Sequence, residues 1–161
     1  MTIRLATAAD AEVLIGFDHL ASEGSARRAF IRRSIDAGRC FVALSGAHGP
    51  PVAYGVLEYT FYDNGFVAML YVAAPHRGRG FGGALLRHLE SRCRTPKLFT
   101  STNQSNMPMQ RLLHKHPYTP SGVIENLDEG DPELVFFKQI PMKEPQRHGG
   151  TEASLYVRAS H

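Results

Sequence analysis

The residues best suited to chemistry lie between Leu70 and Leu86, where Leu70-Tyr71-Val72-Ala73-Ala74 runs into Pro75-His76-Arg77-Gly78-Arg79-Gly80-Phe81-Gly82-Gly83-Ala84-Leu85-Leu86. The first part is apolar, rich in strand formers, and stops at Pro75. Arginines and glycines then interleave, and Phe81, Leu85 and Leu89 follow at helical spacing. This pattern predicts a strand, a glycine-rich turn and a helix. Glycines let the backbone come close to a ligand, and the first turn of a helix offers unpaired N–H groups to an anion. Arg77 and Arg79 add positive charge that pairs with phosphate. A pyrophosphate-bearing cofactor fits this arrangement.

Two motifs overlap in the loop. Gly78-x-Gly80-x-x-Gly83 satisfies the dinucleotide fingerprint, which calls for an acid about 20 residues further on to hold a ribose hydroxyl. Ser101-Thr102-Asn103-Gln104-Ser105, the positions in range, contain none. Arg77-x-x-Gly80-x-Gly82, directly after a strand and opening a helix, resembles the acyl-CoA-binding segment of the GNAT family of N-acetyltransferases, Gln/Arg-x-x-Gly-x-Gly/Ala.

The elements that must hold this loop follow from the flanking sequence. Thr2 to Ala6 reads as a first strand, and Thr7 with Asp10 forms a capping box for a helix whose apolar side is Val13, Leu14 and Phe17. Ser25 is a second N-cap, and Ala26, Phe30, Ile31 and Ile35 make a stripe that ends at Gly38, a C′ glycine. Asp18 to Gly24 receives no element. In an acyltransferase it would border the acceptor pocket, and His19 and Glu23 stand there either as contributors or as surface residues. Cys40–Leu44, Val52–Phe61 and Phe66–Ala73 are strands, with Asp63-Asn64-Gly65 as a hairpin. Three strands in a meander precede the loop, which argues against the βαβ start of a dinucleotide fold. A helix from Gly80 to Arg94 ends before Pro96, and Leu98–Ser101 is a strand reached by helical crossover, so it should run parallel to its predecessor. Asn106 opens another helix, with Pro108 in its first turn and Met109, Leu112 and Leu113 on its apolar side. Tyr118–Asn126 and Leu134–Ile140 form a last antiparallel pair, joined by the acidic Leu127–Glu133 loop.

The order β-α-α-β-β-β-α-β-α-β-β resembles the whole GNAT domain over Thr2 to Ile140. A second anchor runs from Thr102 to Tyr118 and is similar to the family's Asn-x-x-Ala-x-x-Leu-Tyr-x-Lys-x-Gly-Phe, with Asn106, Lys115 and Tyr118 at matching positions. The resemblance implies an α/β fold with a mixed, mostly antiparallel central sheet, helices on both faces, and fourth and fifth strands splayed for acyl-CoA. It implies backbone N–H groups of Arg77, Gly78, Arg79, Gly80, Phe81, Gly82 and Gly83 on the pyrophosphate. Leu70 and Val72 would pair with the pantetheine arm, which Asn106 also contacts. An N–H near Val72 would polarise the thioester carbonyl. Acetyl-CoA is then the cosubstrate, and the acceptor is a primary amine of a small molecule or a protein. A neutral amine attacks directly, and holding the reactants together supplies up to about 7–11 kcal/mol.

Two departures bear on the catalytic residues. Leu113 stands where the family often places a tyrosine, so protonation of the leaving thiolate falls to Tyr118, Ser105 or water. The family often carries a glutamate early in the fourth strand, where this chain has Phe66-Val67-Ala68-Met69. The nearest acid in the sheet is Glu58, which serves either as a base acting through water or as a polar residue on an exposed face. A non-catalytic acyl-CoA-binding or regulatory module is the alternative to an enzyme.

Composition sets the frame. With 161 residues, the chain suits one domain, 1–140, with 141–161 as a flexible, Pro-, Gly- and His-containing tail in which Leu155-Tyr156-Val157 could add a strand. No apolar run approaches the ~18 residues of a membrane span, and Met1-Thr2-Ile3-Arg4 does not open a secretory signal. Two cysteines, Cys40 in a strand and Cys93 in a helix, point to a reduced, cytoplasmic setting. Arg27, Arg28, Arg32, Arg33 and Arg39 read as a solvated helix face. They lack the interleaved aromatics of a nucleic-acid platform. The late acids from Glu125 to Glu133 form either a solvated turn or a lure for a cationic amine. No His, Cys or acid spacing marks a metal site, and a homodimer is the first expectation for any assembly.

Overall fold

Every residue of strand β2 (Cys40–Leu44) is buried, and a strand buried on both faces needs cover on both. Cys40, Val42 and Leu44 pack with Leu14, Ile31 and Ile35, whereas Phe41 and Ala43 pack with Leu85, Leu86 and Leu89. Period-two alternation in the strand thus selects two helical layers. The computed structural model describes residues 1–143. Its strands are β1 (Ile3–Leu5), β2, β3 (Pro51–Phe61), β4 (Asn64–Val72), β5 (Lys97–Asn103), β6 (Thr119–Ile124) and β7 (Glu133–Gln139). Helices α1 (Ala11–Phe17), α2 (His19–Glu23) and α3 (Ser25–Asp36) cover one face, and α4 (Phe81–Arg92) and α5 (Met107–Lys115) the other.

The sheet order is β1-β2-β3-β4-β5-β7-β6. All neighbours are antiparallel except β4 and β5, which α4 joins as a crossover. The expected mixed sheet with helices on both faces is the one observed. No described helix is long and apolar enough to cross a membrane. The expected tail lies almost wholly outside the described residues, and Leu155-Tyr156-Val157 entirely so.

Local chemistry explains where the chain turns. Asp10 accepts the Thr7 N–H at 2.8 Å and a two-pronged bond from Arg4 at 2.7 and 3.0 Å, fixing the step from β1 to α1. At the end of α3, Gly38 N–H reaches Ile35 O and Arg39 N–H reaches Ser34 O, both at 2.9 Å. This is a Schellman ending at the expected glycine. Elsewhere the expectations need correction. Gly24, not Ser25, is the N-cap of α3. Val13 is exposed, and Ile15 takes its place in the core. The hairpin turns at Tyr62-Asp63, with φ of 50° and 60°, so Phe61 faces Asn64 across it. Gly65 belongs to the strand, paired with Leu98, and a Cβ there would lie 2.6 Å from Cys93 Sγ.

The unassigned stretch proves to be ordered by one buried carboxylate. Asp18 is fully buried and caps α2 by accepting the N–H groups of Leu20 and Ala21. It also accepts the Tyr54 hydroxyl from β3 at 2.6 Å and pairs with Arg27 of α3 at 3.6 Å. Side chains from α3 and β3 therefore hold the start of α2 through one charge that must be fully satisfied. Tyr54→Phe deletes one of those bonds and should lower stability by about 2 kcal/mol, or roughly 4–8 °C in melting temperature. An unchanged melting temperature would show that Asp18 does not depend on Tyr54.

Candidate active site

Strands β4 and β5 share three residue pairs, Gly65–Leu98, Phe66–Phe99 and Val67–Thr100, and no more. At the last of them the buried Thr100 hydroxyl donates to Val67 O at 3.0 Å. Beyond it β5 stays paired with β7 through Asn103–Glu133, and β4 stays paired with β3 through Val72–Ala53. Each strand keeps its outer neighbour and loses the inner one. Ala68 is an extra residue between the pairs Leu57–Val67 and Val56–Met69, and a bulge of this kind bends its strand and increases its twist.

The free edge of β4 has a definite pattern. Ala73 N–H bonds to Val52 O at 2.8 Å, so Ala73 addresses β3. Alternation along an antiparallel ladder then turns Tyr71 to β3 as well, and aims the N–H and C=O groups of Leu70 and Val72 into the gap. The Leu70 and Val72 side chains join the core under α4, and those of Met69 and Tyr71 lie on the α1–α3 face.

Directly after β4 the chain makes one tight turn, Ala74–His76, and enters the glycine loop. Gly80 caps α4 at φ 87°, a left-handed conformation strained for any side chain. The bond from Ala84 N–H to Gly80 O, 3.1 Å, is the first of the helix. The N–H groups of Phe81, Gly82 and Gly83 ahead of it are its orphan donors. Gly83 is required for another reason: a Cβ there would sit 2.8 Å from His116 Nε2, so its absence lets the end of α5 pack on the start of α4. Arg77, Gly78 and Arg79 are exposed. Arg77 Nε donates to Val72 O at 3.0 Å, and its guanidinium stands 5.5 Å over the Tyr71 ring.

The opposite wall begins where β5 ends. Asn106 caps α5, its side chain accepting the Met109 N–H at 3.2 Å, which leaves the amide nitrogen as the part able to meet a ligand. The loop ahead of it is braced from the acidic segment. Asn103 Nδ2 donates to Asp128 at 2.8 Å, Ser105 donates through its N–H and hydroxyl to Asp131 at 2.9 and 2.5 Å, and Gln104 N–H reaches Pro132 O at 2.8 Å. Two of the late acids are thus fasteners of the groove wall, a role invisible in sequence because the partners lie far apart along the chain.

The structure brings Leu70, Val72, the segment Arg77–Gly83 and Asn106 around one groove. It leaves the two other expected site residues outside. Tyr118 is 3 % exposed in the core between α4 and β7. Its hydroxyl donates to Glu90 at 3.1 Å, and Lys138 holds the other oxygen of Glu90 at 3.0 Å. Burial and the Glu90 charge push the Tyr118 pKa upward. Glu58 is paired with Phe66, below the point where the strands part. Along β3 it is three residues from the level of Leu70 (opposite Gly55) and five from that of Val72 (opposite Ala53), or about 10 and 17 Å. It lines an open cleft of about 460 Å³ with Phe30, Arg33 and Arg39. On the same face of the sheet, next to the free edge, His19 and Tyr71 meet instead, Nδ1 to hydroxyl, at 2.7 Å. His19 stands out in the sequence, but its partner lies 52 residues away and no local pattern marks it.

Comparison with known proteins agrees with this geometry. Residues 10–117 match the model of the "Acetyltransferase (GNAT) family". No curated protein matches. Among solved structures, a GNAT-family acetyltransferase from Bacillus cereus is 31% identical, with 88% of this chain and 98% of that one covered at a TM-score of 0.80. The ribosomal-protein-alanine N-acetyltransferase of Brucella melitensis is 21% identical over 86% of this chain and 99% of that one, at 0.71. The yncA protein of Salmonella typhimurium, solved with its cofactor acetyl-CoA, is 19% identical over 92% and 99% at 0.70.

Two imidazoles, His116 buried and His88 half-buried, give the scaffold a pH dependence. His116 is held below its ordinary pKa by burial and then by Arg87, and His88 by burial and then by Arg92. Unfolded histidine takes up its proton near pH ~6.5, where the folded chain still resists protonation. Above that pH both states are neutral and the histidines contribute nothing. Below it the unfolded state binds more protons, so stability falls. Melting temperature should therefore drop as pH is lowered from about 7.5 to 5.5, and His116→Gln should flatten the slope. An equal slope in the variant would remove His116 from this account.

Proposed function

The chain belongs to the acetyltransferase (GNAT) family and uses acetyl-CoA, and on that premise we propose that it transfers the acetyl group to a primary amine by direct attack. The observation that carries this reading is the free β4 edge ending in a glycine cradle at a helix start. A pantetheine arm carries amide groups spaced to pair with a strand edge, and Leu70 and Val72 present one. The orphan N–H groups at the start of α4, with Arg77 and Arg79, suit the pyrophosphate. The N–H of Leu70 or Val72 would polarise the thioester carbonyl and bind the oxyanion that forms on attack. Asn106 closes the groove from the β5 side.

Departure of sulfur needs no dedicated acid. A thiol has a pKa near ~8.5, so its thiolate leaves with little help near neutral pH. This agrees with Leu113 in the family's tyrosine position and with Tyr118 sealed in the core. The same two features favour a second reading, a module that binds acyl-CoA without turning it over. Two measurements separate the readings.

Acetyl-CoA and CoA at about 100 times their dissociation constants should each stabilise the protein by about 2.7 kcal/mol, or roughly 5–10 °C in melting temperature, and NAD should not. Gly80→Val should abolish most of the shift, because it strains the cap and crowds the cradle. Release of free CoA thiol is then followed with spermidine, kanamycin, lysine amide and an alanine-leading peptide as acceptors. Turnover with any of them supports the enzyme. A shift without turnover supports the binding module, and no shift contradicts both.

A further inference from the structure

The acyltransfer reading leaves open which group takes the proton of the attacking amine, and the α1–α3 face of the groove holds one unused pair. Tyr71 lies on β4 between Leu70 and Val72, the two residues whose backbone groups face the gap. Its hydroxyl meets His19 twice, accepting the backbone N–H at 3.3 Å and lying 2.7 Å from Nδ1. In the tautomer with hydrogen on Nε2, the phenol accepts the backbone N–H and donates its own proton to Nδ1. One phenol lone pair stays uncommitted. His19 is exposed and Tyr71 half-buried, so the pair is accessible from solvent.

The surroundings hold the pair still without competing for it. Phe17 stacks on the Tyr71 ring at 6.1 Å, Tyr54 lies at 6.1 Å, and Arg77 stands over it from the loop after β4. Arg27 of α3 contacts the Met69 sulfur and pairs with Asp18. Asp18, the residue before His19, is wholly engaged by Tyr54, Arg27 and the first N–H groups of α2. It is a positioning residue: it fixes the helix whose first residue is His19. Among the described residues, no other carboxylate bonds to any member of this group.

We propose that Tyr71 and His19 form the proton acceptor for the amine, Tyr71 in contact with the substrate and His19 as the base behind it. The inference rests on the amine-acetylation reading. The nitrogen lone pair attacks the thioester carbon, forming C–N. As C–S breaks, sulfur keeps the bonding electrons and leaves as thiolate. One N–H proton passes to the Tyr71 oxygen while the Tyr71 proton passes to His19 Nδ1. The products are the amide, CoA thiolate and an imidazolium, which exposure lets return its proton to water.

The test uses the full chain, acetyl-CoA, and the best acceptor of the four amines named above. His19→Gln and Tyr71→Phe should each lower kcat/KM about 100-fold or more, with the acetyl-CoA melting shift unchanged. Added imidazole should restore turnover in His19→Ala, which a purely structural histidine would not allow. Variants within about threefold of wild type, or a loss confined to Glu58→Gln, would overturn the pair while leaving acetylation intact. Wild-type failure on all four amines would count against the pair and the acetylation reading together, and the acetyl-CoA shift would show whether cofactor binding survives.

Discussion

Everything at the site depends on strands β4 and β5 pairing for three residues and then parting. Unpaired backbone groups inside a sheet are costly, and proteins normally cover such edges. Here the divergence is enforced from outside. The β3 ladder holds β4 to Val72, and the β7 ladder holds β5 to Asn103. Neither strand can relax toward the other without breaking its outer ladder, and Thr100 pins the point of separation through Val67. The groove is therefore a gap between two half-sheets, each held by its own outer ladder.

The helices convert this gap into a directed site. Because α4 is the crossover between the parting strands, its N-terminus falls at the open end of the groove. Gly83 allows His116 to pack against that first turn, and Arg77 bridges from the loop back to Val72 O. On the other face the buried Asp18 seats α2 against β3, which brings His19 to Tyr71. Each wall thus carries its own fastener: Asp18 on one side, and Asp128 with Asp131 on the other.

The legible parts of this design are those encoded by near neighbours in sequence. The meander, the crossover and the glycine loop announce themselves through alternation, helical spacing and breakers. Cys40–Leu44 and the Gly38 ending need no partner to be recognised, and both agree with the structure. The misread parts depend on distant contacts. Asn64-Gly65 has the sequence of a turn, yet Gly65 is glycine because Cys93 lies over it. Tyr118 matches the closing aromatic of the family segment, but only the fold shows its hydroxyl turned to Glu90. Asp18 looked like a loop residue since its partners, Tyr54 and Arg27, come from other elements.

The most direct test of the account is amide hydrogen exchange along β4 with and without acetyl-CoA. The Leu70 and Val72 N–H groups face the gap, whereas Tyr71 N–H already belongs to the β3 ladder. Addition of acetyl-CoA should slow exchange at Leu70 and Val72 and leave Tyr71 little changed. Equal exchange at Leu70 and Val72 in both conditions, with protection appearing elsewhere in the sheet, would contradict the claim that the free β4 edge is where the cofactor binds.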